Sequence, residues 1–340
     1  MEKYRQFGDG GTGVNPFVPV WSHHKSLVVV RALKVLILFP IAVLRLALLA
    51  VAVAWLGLAE LVCAPIPLGV LRYPLYRLLS SVGCAVALFA LGLLMPGDAL
   101  ADHRRLKIAS PKAGGGRAFD AGHGTLVLAN QQGLTDVLYL GLRLCPTFVF
   151  LAGNGVPVRC SLLSALRRAG SRRPAPPLEQ GAPLAEIADW AQAGRHGPVA
   201  IFAEGARTNG SCILAWKPET FAGPPPFERP AGTALVGIEY SKTGAYTPHH
   251  TVGTAFRHVL WLCLQPWHTV QAVWLPAPSV ATAIKGKTLT EQTALLRTVL
   301  TRMIPGAVEV EVSCSKHLDF MAYWDASQRK RYTQHQKKVA

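Results

Sequence analysis

Two long apolar runs near the N-terminus constrain the fold of this chain most. Ile41–Cys63 is 23 residues long, with Arg45 and Glu60 near its two ends as its only charged residues, and Leu78–Met95 adds 18 more. A helix of about 20 apolar residues crosses roughly 30 Å of hydrocarbon, and prolines at Pro65–Pro67 break the run between the two. The pattern predicts a membrane-embedded helical hairpin. A pair of buried core helices is the alternative, and a spanning hairpin is not distinguishable here from a re-entrant one.

The net charge and the distribution of basic residues predict which partner the protein binds and how the hairpin is oriented. The chain has 35 basic and 19 acidic residues, a formal net charge of +16, yet only 16% of its residues are charged and 50% are hydrophobic. This balance favours an anionic membrane surface or anionic substrates. Basic residues flank the outer ends of the two runs more heavily than the loop between them, which predicts both termini in the cytosol. Those outer residues are Lys25, Arg31, Lys34, His103, Arg104, Arg105 and Lys107.

Nucleic acid is the rival partner for a basic chain, and the sequence argues against it. There is no zinc-ligand spacing, no basic helix with heptads and no aromatic RNA-binding motif. The seven cysteines are scattered without a Cys-x-x-Cys pair, so neither a disulfide framework nor a metal site is expected. We therefore expect no bound metal, no cofactor and no nucleic-acid partner.

Beyond the second apolar run, short apolar segments alternate with helix-like segments. Short apolar segments predict strands at Thr125–Ala129, Phe148–Ala152, Val199–Ala203, Thr233–Tyr240 and Val270–Leu275. Helix-like segments lie among them at Leu134–Leu144, Ser161–Ala169, Leu184–Gln192, Ala255–Leu264 and Thr290–Met303. This alternation predicts an α/β fold in which helices flank a mostly parallel mixed sheet, preceded by the N-terminal hydrophobic hairpin.

Two polar segments follow predicted strands and carry the candidate chemistry. The first, Asn130–Asp136, reads Asn-Gln-Gln-Gly-Leu-Thr-Asp, and the second, Phe202–Gly210, contains Glu-Gly-Ala-Arg. We call them the first box and the second box. A glycine permits a sharp turn, and the planar guanidinium of Arg207 suits phosphate. Asp136 falls in the first turn of the predicted helix. It is therefore either a residue of the functional site or a carboxylate that only caps the helix.

In this order and spacing the two boxes resemble the glycerolipid acyltransferase family, which carries Asn-His-x-x-x-x-Asp and then Glu-Gly-Thr-Arg. Asp136, Glu204, Gly205 and Arg207 match that pattern, whereas Gln131 stands in the position of the family's histidine. Three N-terminal segments resemble the start of a fungal branch of lysophosphatidic acid:oleoyl-CoA acyltransferases, which is also linked to vacuolar protein sorting. These segments are Met1–Tyr4, Gly11–Gly13 and Asn15–Pro19.

The resemblance implies a role for each matching residue. In the family the histidine acts as general base on the acceptor hydroxyl and the aspartate orients it, so Gln131 and Asp136 are expected at the reacting hydroxyl. An amide cannot accept the proton at pH 7, and loss of a general base typically removes a factor of ~10²–10⁴. Arg207 is expected to hold phosphate, with Glu204 bracing that arginine or the turn at Gly205.

Other segments keep two interpretations. Arg172 or Arg173 matches a family arginine that contacts the glycerol-phosphate head, and an exposed basic patch on anionic headgroups is the alternative. Ala234–Ile238 takes the place of the family's last box beside the acyl chain, or is a plain core strand. His249 and His250 are interpreted as a loop pair, and His123 is expected at the opposite end of its strand from the first box.

The resemblance therefore implies a membrane-bound lysophospholipid acyltransferase that transfers an acyl group from acyl-CoA, a substrate rather than a cofactor, to lysophosphatidic acid. A non-catalytic lipid-binding or scaffold protein on the same fold is the alternative. We expect an N-terminal extension (1–26), the hairpin (27–100), the acyltransferase domain (101–320) and a basic tail (321–340). Lys337 and Lys338 resemble a dilysine retrieval signal, which favours the endoplasmic reticulum membrane, with the lipid droplet as a further location.

Overall fold

The computed structural model describes residues 2–20, 28–94, 96–111, 117–171, 181–242 and 246–339. Its strands are β1 (Gly97–Leu100), β2 (Leu126–Ala129), β3 (Thr147–Leu151), β4 (Pro157–Cys160), β5 (Val199–Phe202), β6 (Cys212–Ile213), β7 (Thr233–Tyr240), β8 (Val270–Leu275) and β9 (Val308–Glu309). Its helices are α1 (Val28–Cys63), α2 (Gly69–Ala90), α3 (His103–Leu106), α4 (Leu134–Arg143), α5 (Leu162–Gly170), α6 (Leu184–Ala193), α7 (Ala255–Cys263), α8 (Ala277–Ile284), α9 (Leu289–Met303) and α10 (Ser315–Val339).

Seven strands form one sheet in the order β1-β8-β7-β2-β5-β3-β4, and β6 and β9 form a separate pair. The pairs β1–β8, β7–β2, β2–β5 and β5–β3 are parallel, whereas β7–β8 and β3–β4 are antiparallel. The α/β fold with a mostly parallel mixed sheet and flanking helices is thus confirmed. Strands β2 and β5 are buried along their whole length because helices cover both faces of the sheet, which is why they read as continuous apolar runs.

All five predicted strands are present to within a residue or two, and two further strands of the sheet were missed. Strand β4 begins at Pro157, a residue that sequence reasoning keeps out of central strands, and it lies on the edge of the sheet where a proline is tolerated. Strand β1, the other edge, has four exposed residues and no apolar run. It pairs with β8, so the sheet begins before residue 100, where the hairpin segment was expected to end.

The two N-terminal helices are longer at their starts than the apolar runs suggested. Pro40 lies inside α1 and Pro74 lies inside α2, so neither proline ends a helix here. The second helix ends at Ala90 rather than at Met95, because Gly92 adopts a positive φ of 79° just beyond it. Leu93 then forms an isolated parallel bridge with His268.

By length and composition, Leu36–Cys63 and Gly69–Ala90 could each cross a membrane. Only 11% of the first apolar window and 33% of the second are buried within the protein, and α2 packs on α4. Large apolar side chains such as Leu44 and Val51 project into the surroundings. The interpretation as core helices buried on all sides does not fit this exposure, particularly for α1.

The two charged residues of the first apolar run, Arg45 and Glu60, form hydrogen bonds with the sheet domain. Arg45 donates to the carbonyl oxygens of Gln265 (2.5 Å) and Pro266 (2.7 Å), just past the end of α7. Glu60 accepts from the backbone N–H of Leu163 at 3.0 Å, in the first turn of α5. A cation at a helix C-terminus and a carboxylate at a helix N-terminus are both favourable. The pair therefore fixes α1 against two helices of the sheet domain.

Residues near both ends of the chain pack together. Tyr4 stacks on Trp324 with ring centroids 5.4 Å apart, and Phe7 and Phe17 contact Phe320. The segment expected as a basic tail thus belongs to α10, whose early residues complete a small apolar cluster with the N-terminal extension.

Candidate functional site

The two boxes meet at the carboxyl ends of neighbouring parallel strands. Strand β2 leads into the first box and β5 into the second, and their last residues, Ala129 and Phe202, are paired in register. The backbone N–H of Gln131 donates to Glu204 Oε1 at 3.0 Å. The N–H of Thr208 donates to the carbonyl oxygen of Gln131 at 2.9 Å. The boxes, about seventy residues apart in sequence, therefore form one hydrogen-bonded unit.

Asp136 is fully buried in the first turn of α4 and accepts three hydrogen bonds. Its Oδ2 accepts from the backbone N–H groups of Gln132 (2.5 Å) and Gly133 (2.8 Å), and its Oδ1 accepts from the hydroxyl of Tyr240 (2.7 Å). Burial raises its pKa to about 6, against the lowering effect of these bonds. The carboxylate caps the helix, which was the alternative interpretation, and it also faces Tyr240 at the end of β7.

Glu204 braces the turn between the boxes. Besides the Gln131 N–H, it accepts at Oε2 from the backbone N–H of Leu214, at 3.0 Å. The side chain is 1% exposed, and burial raises its pKa to about 8. Both oxygens bind backbone donors, so of the two expected roles the bracing of the turn has direct support.

Gly205 has the conformation that the sequence predicted for a sharp turn. Its φ is +66°, in the left-handed region that side chains avoid. A Cβ at this position would also lie 3.1 Å from Leu151 Cδ1. The turn therefore requires glycine both for its backbone angle and for the close packing on β3.

Arg207 is buried, although the sequence around it is polar. It is 3% exposed, and its Nη1 donates to the carbonyl oxygen of Ala169 (2.5 Å) and to His250 Nδ1 (3.1 Å). The Ala169 carbonyl belongs to the last turn of α5, where a cation is favourable. Arg207 thus joins the second box to α5, and its removal affects the fold as well as any ligand.

We predict that Arg207→Ala lowers the free energy of unfolding by about 2–3 kcal/mol, because hydrogen bonds from a charged donor contribute ~1.5–3 kcal/mol. Arg207→Lys keeps the charge and should cost less, although it loses the planar fork. Urea unfolding of the two purified variants measures the difference. An Arg207→Ala protein as stable as the wild type contradicts the buried role.

The described residues include partners of the boxes that the sequence did not reveal. Asn130 pairs with the backbone of Ile238, accepting from its N–H at 2.7 Å and donating to its carbonyl at 2.9 Å. Asn209 donates to the carbonyl oxygens of Asn15 and Val18 in the N-terminal segment. Ala234 and Ile238 themselves are completely buried, as a core strand would be. Asparagines are common in loops, so only their position beside each box could have indicated these contacts.

Several buried histidines surround Arg207. His249 and His250 lie in the loop between β7 and α7, as expected of a loop pair, but at these two residues the loop is not at the surface. Both are buried, and the ring of His250 stacks on His258 at 4.4 Å. Desolvation and the charge of Arg207 lower the pKa of His250, and they lower the pKa of His258 and of His317 to about 3. These rings are neutral at pH 7. Their partners lie elsewhere in the chain, which is why the doublet alone gave no signal.

The remaining candidates are more distant or lie outside the described residues. His123 accepts from the backbone N–H of Gly197 at 3.0 Å, at the opposite end of β2 from the first box, as expected. Arg172 and Arg173 lie outside the described residues. Within the described part of the chain, no three His, Cys, Asp or Glu side chains are arranged to hold a metal ion.

The site is closed. Gln131, Asp136, Glu204 and Arg207 are each at most 5% exposed. An open depression of about 340 Å³ lies instead on α2, lined by Tyr73, Pro74, Arg77, Leu78 and Ser81.

Comparison of the chain with known proteins finds no matching family model, no matching curated protein and no matching solved structure.

Proposed function

We propose that this protein is a membrane-bound lysophospholipid acyltransferase that uses acyl-CoA and lysophosphatidic acid. One observation carries the proposal: the Asn-Gln-x-x-x-x-Asp and Glu-Gly-x-Arg boxes, which resemble the two boxes of that family, form one unit through the hydrogen bond from Gln131 to Glu204. They do so at the carboxyl ends of adjacent parallel strands, where α/β proteins bind ligands.

In the proposed reaction the acceptor hydroxyl attacks the thioester carbonyl of acyl-CoA. The new ester bond forms, the carbon–sulfur bond breaks, and CoA leaves as the thiol with the hydroxyl proton. Gln131 is an amide and cannot act as the base, so rate enhancement depends on positioning the two substrates. Arg207 supplies a fixed positive charge within the second box.

The acyl transfer assay is the direct test. Purified protein in detergent is given oleoyl-CoA and a panel of lysolipids, and release of free CoA thiol is followed. We expect release with lysophosphatidic acid above that with other head groups. No release with any lysolipid contradicts the proposal.

Membrane attachment is supported by exposed apolar side chains on two elements that are in contact, α1 and α7. The exposed face of α1 carries Leu44 and Val51, and the nearby α7 region exposes Phe256 (72%), Trp261 (38%) and Trp267 (66%). Arg45 joins the two regions through the carbonyl oxygens at the end of α7. Tryptophan is favoured at membrane interfaces. We propose that the hairpin is embedded in the endoplasmic reticulum membrane, with the lipid droplet as a second location and the sheet domain and both termini in the cytosol.

We predict that the wild type stays with membranes after an alkaline carbonate wash. Val51→Arg, near the middle of α1, should release part of the protein, because an arginine at a helix centre costs about 2.5–3.5 kcal/mol in hydrocarbon. Leu318→Arg, also at an exposed apolar position but on α10, is the matched control and should stay in the pellet. A wild type recovered in the soluble fraction contradicts the membrane proposal.

A non-catalytic lipid-binding or scaffold protein is the second candidate. The observation in its favour is that all of the matching box residues serve the fold: Asp136 caps α4, Glu204 braces the turn and Arg207 binds α5. This candidate predicts lysolipid binding without release of CoA, so the assay separates the two.

A further inference from the structure

The first apolar helix is held by the sheet domain at two separated points. Arg45 of α1 donates to carbonyl oxygens just past the end of α7, and Glu60 accepts from the first turn of α5. Fifteen residues separate the two, which is about 22 Å along a helix. The segment between them contains no charged residue. This apolar segment therefore runs along the domain instead of extending away from it.

The second helix is held in the same way. The Tyr73 hydroxyl, near the start of α2, donates to the carbonyl oxygen of Leu144 at 2.9 Å, next to the end of α4. Gly92, just past the end of α2, accepts at its carbonyl oxygen from the N–H of His268 at 2.7 Å. These contacts lie about 28 Å apart along the helix, and α2 packs on α4 between them. Each helix thus lies along the domain between its two contacts.

This arrangement does not fit a hairpin that crosses the bilayer. Crossing would place the two contacts of each helix towards opposite sides of a hydrocarbon layer of about 30 Å, so the domain would have to extend through that layer beside the hairpin. The two helices that hold α1 do not suit hydrocarbon, because α5 exposes Arg167 and α7 exposes Arg257. An arginine that faces lipid chains is strongly unfavourable.

The outer surface of the hairpin is a stripe of apolar side chains. Alternate residues of β2 point to opposite faces of the sheet, and α1, α2, α4, α5 and α7 share a core cluster with Val127 and Ala129 on one of these faces. We call this side of the domain the hairpin face. Away from the cluster, the two helices of the hairpin expose Leu44, Val51, Leu58, Leu71, Leu78 and Phe89. A helix that lies flat in a leaflet buries a stripe of this kind in the acyl chains.

The charges of the hairpin face indicate an anionic partner. Its five helices contain two acidic residues in all: Glu60, which is bonded to α5, and Asp136, which is fully buried. By contrast, Arg77, Arg167 and Arg257 are exposed on α2, α5 and α7. On the other face of the sheet, α6 and α9 expose the acidic residues Glu186, Asp189 and Glu291. Exposed basic residues beside an apolar surface suit an anionic leaflet.

We propose that the α1–α2 hairpin does not cross the membrane but lies along one leaflet of an anionic phospholipid membrane. The apolar stripe contacts the acyl chains, and Arg167 and Arg257 lie at the phosphate groups. The loop between the helices (64–68) and the sheet domain are then on the same side of the membrane. The inference rests on the proposed membrane attachment and deepens it, because an arrangement of this kind needs a single layer of phospholipid.

The first test uses the wild type and needs no variant to fold. Purified protein in detergent is diluted onto triolein droplets coated with a monolayer of phosphatidylcholine and phosphatidic acid, and separately onto bilayer vesicles of the same two lipids. Flotation measures the bound fraction. We expect binding to both, because a flat hairpin needs one leaflet only. Binding to vesicles but not to droplets overturns the proposal, and so does binding to neither.

The second test reverses charges on the hairpin face. Arg167→Glu and Arg257→Glu should each weaken binding to the anionic droplets about 5-fold and should have little effect on droplets of phosphatidylcholine alone. Lys285→Glu is the matched control, because Lys285 is exposed next to α8, which packs on the other face of the sheet. It should bind like the wild type. A loss in Lys285→Glu as large as in the two arginine variants overturns the proposal.

The third test determines on which side of the membrane the loop lies. A hydrophilic epitope is inserted into the loop (64–68) of one protein and at Gly286 of another, where an added side chain would meet nothing within 4 Å. Sealed microsomes are treated with protease with and without detergent. We expect both epitopes to be cleaved without detergent. A loop epitope that is protected until detergent is added, while the Gly286 epitope is cleaved without it, overturns the proposal.

The outcomes distinguish this inference from the proposed enzymatic activity. If the protein binds droplets and both epitopes are on one side, but no CoA is released from acyl-CoA with any lysolipid, the flat hairpin stands and the acyltransferase proposal fails. If CoA is released while the two epitopes are on opposite sides, the flat hairpin is wrong and the acyltransferase proposal stands.

Discussion

Replacing Glu204 by alanine is expected to lower the free energy of unfolding by about 2–6 kcal/mol. The carboxyl group accepts from the backbone N–H groups of Gln131 and Leu214, both at 3.0 Å. Each buried N–H that loses its acceptor costs ~1–3 kcal/mol, and the first of these bonds joins the two boxes. Denaturant unfolding of the purified protein in detergent measures the change.

Glu219 provides the control, because it is an exposed glutamate that follows the second box in the sequence. Glu219→Ala should change stability by no more than about 0.5 kcal/mol. Glu204→Gln keeps one acceptor oxygen and should fall between the two. Equal stability of the Glu204→Ala and Glu219→Ala proteins contradicts the bracing role.

The pH dependence gives a second readout for Glu204. Its pKa in the folded protein is raised from 4.5 to about 8 by burial, so the fold favours the protonated form. This contribution to stability is present below about pH 4.5 and is lost as the pH rises through about 8. Glu204→Gln cannot titrate, so the fall in stability over that range should be smaller in this variant than in the wild type.

Gln131→His is expected to raise acyl transfer by up to ~10²-fold, because it supplies a base at the position where the resembled family has one. The activity should then depend on pH near the ordinary histidine pKa of ~6.5. Asp136 already accepts from two backbone N–H groups and from Tyr240, so the new imidazole must share or replace one of these donors. Initial rates of CoA release across pH measure the effect.

Gln131→Asn is the matched control, since it changes size without adding a base. It should show no gain and no new pH dependence. Tyr240→Phe in the Gln131→His background frees one position on Asp136 Oδ1 and should increase the gain. An efficient wild type that loses activity in Gln131→His contradicts a degraded site, because the amide then has a positive role. Inactivity of every form favours the scaffold alternative.

Sequence reasoning reached the sheet and the meeting of the boxes because both depend on local patterns. Buried parallel strands are uniformly apolar, so β2, β5 and β7 were visible as runs, and strands of this kind align their carboxyl ends. Strand β1 was not predicted because it is a four-residue exposed edge strand that is held by pairing with β8. Its sequence, Gly-Asp-Ala-Leu, carries no strand pattern.

Burial was the property that sequence reasoning judged least well. Arg207 and His249 are polar residues next to glycines and threonines, which is the composition of an exposed loop. They are buried because the N-terminal segment, α10 and the loop before α7 close over the second box, and these segments lie far away in sequence. The same distance explains why Asp136 was predicted as a cap or a site residue without its bond to Tyr240.

The contact between the two ends of the chain has a consequence for biosynthesis. Asn209 binds Asn15 and Val18, which are synthesised almost two hundred residues earlier, and the aromatic residues of α10 that contact Tyr4 and Phe7 are synthesised much later still. Pairings of such long range form late because loop closure must precede them. During translation the N-terminal aromatic residues therefore stay without these partners until α10 has been synthesised. Docking of α10 then ends this interval and completes the apolar cluster that includes Ala206 of the second box.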